Sequence, residues 1–176
     1  MNRLFWGLFF VTLDFDLTLG SATFGLIPDF AGYYLLMKGM EELAEESGQF
    51  DRGRHWAFGL MLLHGVLYIA DLLDPDPGSA VILWFVSLAG FCAGMYLLRK
   101  MFAGIRQMEE RRGWDLQSGK LHAMWLVETV MGAMAHLLSW MPLVSVFAAV
   151  AAAVTALCLL AAMFGTKKRY QKIMGG

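Results

Sequence analysis

Every Lys and Arg of this chain falls on the same side of an alternating series of apolar runs, and that pattern constrains the fold more than any other feature. A helix needs about 20 apolar residues to cross ~30 Å of hydrocarbon. Six runs approach that length: Leu4 to Leu19, Ala22 to Ala44, His55 to Leu73, Ala80 to Leu98, Leu121 to Trp140 and Leu143 to Gly165. The 14 basic residues sit at the N-terminus (Arg3), around the second-to-third connection (Lys38, Arg52, Arg54), between the fourth and fifth runs (Arg99 to Lys120) and in the tail (Lys167 to Lys172). The opposite connections, near residues 14–29, 71–79 and 138–142, hold none and carry Asp14, Asp16, Asp29, Asp71, Asp74 and Asp76 instead. The positive-inside rule then puts both termini in the cytoplasm. The expected fold is an all-α integral membrane protein, a single domain over residues 1–176, built as a bundle of six transmembrane helices with both termini cytoplasmic.

Composition agrees. Hydrophobic residues make up 58% of the chain and charged residues 16%, against about 45–50% and about 25% in soluble domains. The net charge of −1 leaves no basic excess to neutralise phosphates, which argues against nucleic acid as a partner. Cys92 and Cys158 lie inside apolar runs and read as buried free thiols rather than as a disulfide or a metal knuckle. Arg3 followed by Leu4 to Leu13 resembles a signal peptide, but Asp14 and Asp16 interrupt the run before any cleavage site, so an uncleaved first helix is expected. It is the weakest span, and Gly20 to Pro28 is then an irregular lead into the second. The segment Asp74-Pro75-Asp76-Pro77-Gly78-Ser79 forces a turn, with Ser79 placed to cap the fourth helix. Pro142 closes a short fifth-to-sixth hairpin, Gly48 to Asp51 separates the second and third helices, and Arg99 to Arg112 extends the fourth into the cytoplasm or lies on the membrane surface. Trp56 and Trp114 fall near the inner interface, Trp84 and Trp140 near the outer one.

Ionisable residues inside hydrocarbon cost about 2.5–3.5 kcal/mol each on the insertion scale and are the first functional suspects. Glu128, Gly132 and His136 are spaced by four on one helix face; His64, Tyr68 and Asp71 share another. At 1.5 Å per residue, His64 lies roughly 15 Å beyond Arg54 and Glu128 roughly 12 Å beyond Lys120. Matching depths would let Glu128 pair with His64. One reading is a coupling site for a proton or bound substrate built from His64, Tyr68, Glu128 and His136. The other is an interhelical hydrogen bond that only holds the bundle. Asp14, Asp16, Asp29 and Asp71 form an outer acidic cluster without the spacing of a metal loop. Gly90 and Gly94 offer a small-residue face for helix packing or a partner subunit. Lys38 can snorkel or pair with Glu41 or Glu42.

The string Ile27-Pro28-Asp29-Phe30-Ala31-Gly32-Tyr33-Tyr34-Leu35-Leu36, followed by Lys38-Gly39-Met40-Glu41-Glu42-Leu43, resembles a group of small uncharacterised bacterial membrane proteins with a Pro-Asp-Phe-x-Gly-Tyr signature. The resemblance covers about 40 N-terminal residues. It implies a bacterial cytoplasmic membrane and a role for Asp29, Gly32 and Tyr33, and supplies no mechanism. Size and layout are also similar to the substrate-binding subunits of energy-coupling-factor vitamin transporters, at the level of architecture only. No Gly-x-Ser-x-Gly, His-Glu-x-x-His or phosphate-cradling Gly-Lys-Ser/Thr sequence occurs. The expectation is therefore a non-enzymatic protein without cofactors, embedded in the lipid bilayer. Two functions stand: a transporter or substrate-binding subunit for a small solute or cation, and an accessory or scaffold protein that binds lipids, a membrane-protein partner or its own copies. A lipid-modifying enzyme is a distant third.

Overall fold

The apolar runs fold as helices whose ends are set by identifiable residues. The computed structural model describes residues 1–12, 16–19, 22–25, 29–73, 80–138 and 141–175. Along the chain run α1 (Asn2–Thr12), a hairpin of β1 (Asp16–Leu19) and β2 (Ala22–Gly25), α2 (Asp29–Glu42), α3 (Gly48–Leu73), α4 (Ala80–Arg112), α5 (Ser118–Leu137) and α6 (Pro142–Met174). The architecture is α-helical, with six helices and one antiparallel hairpin in which Leu17 faces Phe24 and Thr18 faces Thr23. Each helix packs on the one before it, and α6 returns to α1, closing a ring.

The ring is tight at one end. Leu4, Leu36, Phe50, Met101, Ile105 and Met163 are fully buried there, at 0% exposure. The same end gathers the basic residues. Arg3 pairs with Glu42 at 2.9 Å, Arg112 with Glu46 at 2.7 Å and Arg169 with Asp115 at 2.5 Å. The Lys167 ammonium lies 4.8 Å from the Phe5 ring centroid and ties α6 to α1. Lys38 pairs with Glu41 at 2.8 Å.

Several boundaries depart from the sequence reading. The first run divides: α1 stops at Thr12, and the Thr- and Phe-containing segment to Gly25 pairs as strands instead of extending the first and second helices. The third helix begins at Gly48 rather than His55, because the Ser47 hydroxyl caps it by accepting the Gln49 N–H at 3.1 Å. Gly48 to Asp51 is thus its first turn, and the connection is the preceding turn. The fourth helix does continue to Arg112, and the sixth runs past Gly165 to Met174. Pro142 opens α6, where its missing N–H costs nothing. Ser79, Pro28 and Trp140 lie outside the described residues.

Two stretches, Trp84–Arg112 and Val146–Met174, are long and apolar enough to cross a membrane. α1 with 11 residues and α2 with 14 are shorter than the ~20 a crossing takes. α3 and α5 are long enough but carry charged or His residues along their length, among them His64, Glu128 and His136. The outer surface is apolar nonetheless. Phe147 is 76% exposed, and Val66, Phe85, Val130, Leu137 and Val150 are exposed with it. Cys92 and Cys158 are free but sit on this exposed surface, which corrects the expectation that they are buried.

Candidate functional site

Beyond the tight end the ring opens around a cavity of about 350 Å³ to which all six helices contribute. α4 contributes most of the wall, and Gly90 and Gly94 are part of it. A Cβ at Gly90 would meet nothing within 4 Å, and one at Gly94 would stand 3.5 Å from the Tyr33 hydroxyl. These glycines therefore make room inside the bundle. Gly90 borders open space, and Gly94 faces Tyr33 of α2, a contact within the bundle such as small-residue spacing allows. Close helix approach also occurs between α1 and α2, where a Cβ on Gly7 or on Gly39 would lie 2.7 Å from the backbone N of Leu36 or Leu4.

His64 of α3 lines the cavity. Its Nδ1 lies 3.3 Å from a carboxylate oxygen of Asp29, the first residue of α2. Its ring packs on Tyr33, one turn along α2, with centroids 4.8 Å apart. The Nε2 of His64 is buried with no hydrogen-bond partner among the described residues. A carboxylate can only accept, so Nδ1 carries the proton and Nε2 presents a lone pair when the ring is neutral.

Glu128 of α5 lines the same cavity, but its carboxylate accepts from Thr155 of α6 rather than pairing with His64. The expected His64–Glu128 pair is thereby corrected: Asp29 takes the histidine, Thr155 takes the carboxylate, and the two groups share one cavity. The Thr155 hydroxyl also contacts the Ala152 carbonyl at 2.9 Å, so its single proton is fully used.

His136 also lines the cavity, and both its nitrogens are engaged. Nδ1 lies 3.0 Å from the Gly132 carbonyl, which can only accept, so Nδ1 donates. Nε2 then accepts from the Ser87 hydroxyl at 3.2 Å. The ring packs on Phe91, with centroids 4.9 Å apart. His136 joins α4 to α5 as a neutral imidazole and has no nitrogen left for a ligand.

Tyr68 faces away. It lines an apolar groove outside the ring with Phe30, whose ring meets it edge-on at 5.8 Å. This removes Tyr68 from the cavity group. Of the outer acidic residues, Asp29 belongs with His64, and Asp14 and the side chains of Asp16 and Asp71 lie outside the described residues. Among the described residues no group of three His, Cys, Asp or Glu could hold a metal ion.

The sequence reading missed Ser87, Phe91 and Thr155 as members of the site. Tyr33 entered it only through the N-terminal resemblance, although it also stands four residues after Asp29 and so on the same face of α2. No family model, curated protein or solved structure matches the chain.

Proposed function

We propose that this chain is a multi-pass protein of the bacterial cytoplasmic membrane that binds a small solute in the cavity at the centre of its helix ring, as a transporter or the substrate-binding subunit of one. The observation that carries the reading is a cavity of about 350 Å³ with an apolar wall and a few polar groups from different helices. That is the usual construction of a small-molecule site, at about 300–1,000 Å³. The bacterial setting comes from the N-terminal resemblance.

The membrane placement is supported by the exposed apolar surface and by the basic residues gathered at one end, which becomes the cytoplasmic end with both termini. α3, α4, α5 and α6 are each long enough for about 30 Å. α1 and α2 rise only about 16 and 21 Å, and the β1–β2 hairpin lies between them in the chain. The solute-binding reading is preferred to the scaffold reading because Gly90 and Gly94 line the cavity.

The test is a thermal-stability screen of the purified chain in mild detergent against vitamins, metabolites and cations. A ligand of the native state raises apparent stability in a dose-dependent way. Gly90→Leu fills open space in the cavity and is expected to abolish that shift while the protein stays folded. A shift unchanged in Gly90→Leu would place the ligand elsewhere, and a flat response would return the weight to a partner-binding role.

A further inference from the structure

The described lining of the cavity holds one carboxylate, Glu128, and no Lys or Arg, and from it we infer that the ligand is a small organic cation with N–H donors, such as a primary ammonium or an amidinium. This inference rests on the cavity being a ligand site. The Thr12 and Tyr33 hydroxyls line the same wall. His64 spends its proton on Asp29, and its Nε2 is buried. Ser87 spends its proton on His136, and only oxygen lone pairs remain. Thr155 spends its proton on Glu128 and the Ala152 carbonyl. Glu128 contributes a carboxylate.

The charge points the same way. No Lys or Arg is among the described residues that line the cavity, and Asp29 stands directly behind His64. An anionic solute would meet Glu128 with nothing to neutralise it. A carboxylic or phosphate ligand is thus disfavoured by charge. An ammonium supplies a counter-charge for Glu128 and an N–H donor for Ser87 Oγ. The Phe91 and Tyr33 rings are part of the same wall.

An inorganic ion is the poorer match. Na⁺, K⁺, Mg²⁺ and Ca²⁺ require a shell of oxygens, whereas Leu63, Leu67, Val86 and Phe91 make much of this wall. The cavity is also many times larger than a bare ion.

The experiment uses the full-length chain in mild detergent with butylammonium and phenethylammonium as probes, and the matched alcohols and carboxylates as controls. Thermal shift and ligand-observed NMR give the affinities. The ammonium probes should bind at least tenfold more tightly than their alcohols, and the carboxylates should not bind. Glu128→Gln should weaken ammonium binding about tenfold or more. Should that variant fail to fold, Ser87→Ala removes a hydroxyl acceptor from the wall and should weaken binding several-fold. Equal binding of ammonium and alcohol, or ammonium binding unchanged in the folded variant, overturns the assignment. If alcohols or carboxylates bind instead and Gly90→Leu abolishes their binding, the cation assignment falls and the cavity reading stands. If nothing binds in a manner sensitive to Gly90→Leu, both fall.

Discussion

At His136 both ring nitrogens have partners, Gly132 O at 3.0 Å and Ser87 Oγ at 3.2 Å, whereas at His64 only Nδ1 has one among the described residues. The two residues looked alike in the sequence, each a histidine inside an apolar run. The difference comes from neighbours on other helices, which spacing along one helix cannot report. His136→Ala removes two hydrogen bonds and a ring contact, and is expected to lower stability by about 1–3 kcal/mol. Ligand response should weaken, because His136 lines the cavity and engages Ser87; a thermal melt with and without ligand checks both. Glu128 and His64 were legible as ionisable groups set within apolar runs, where each would be costly in hydrocarbon. Their direct pairing was not, since matched depth fixes height in the bundle but not which helices stand side by side. Asp29 was assigned to an outer cluster by its place at a run's end; its approach to His64 depends on the α2–α3 contact.

Among elements, the α4–α5 connection shows how a charged helix end is used. Glu109 of α4 accepts the backbone N–H groups of Leu116 at 2.9 Å, Gln117 at 3.1 Å and Ser118 at 3.1 Å. It caps α5, whose own N-cap residue Gln117 makes no side-chain cap and sits at φ 58°. The turn after α2 is held by the same region of α4: the Glu46 carboxylate takes a two-pronged contact from Arg112, at 2.7 and 3.1 Å, and Arg111 donates to its carbonyl at 2.7 Å. Hydrogen bonding from Arg112 holds the Glu46 carboxyl below its ordinary value. With the folded-state value depressed, the unfolded chain binds the proton more readily, so stability rises with pH across that interval. The contribution is complete above the ordinary carboxylate value of about 4.3 and is lost as pH falls through the folded one. Glu46→Gln should therefore be less stable than the parent at pH 7 and converge with it as pH falls through the depressed folded-state value, by thermal melts across pH. A constant difference at all pH values would contradict this. That Arg99 to Arg112 prolongs the fourth helix was readable from its helix-forming residues. The service this extension gives to two connections was not, because those contacts span tens of residues.

Taken as a molecule, the chain is a closed ring of helices, packed where the charges gather and hollow beyond. The order of helices along the chain and the side on which basic residues fall were legible, since both follow from alternation. The hollow was hidden. Its presence depends on α1 and α2 closing together through Gly7 and Gly39, and on Gly90 leaving space. The sequence showed Gly90 and Gly94 as a pair at the spacing of a packing face, while the α1–α2 glycines are scattered over two runs. The short α1 was foreseen from Asp14 and Asp16, but not the strand pairing that follows it.

The central claim is a ligand cavity inside the helix ring, beyond the end where the basic residues gather. Labelling of a single cysteine tests it most directly, with Gly90→Cys in a background where Cys92 and Cys158 are Ala. The reagent is a trimethylammonium-bearing thiosulfonate, added to intact cells that it cannot enter. The account predicts that Cys at position 90 reacts in intact cells, and that Glu110→Cys at the basic end reacts only after lysis. An unreactive position 90 in the folded protein, or labelling of position 110 from outside, would contradict it.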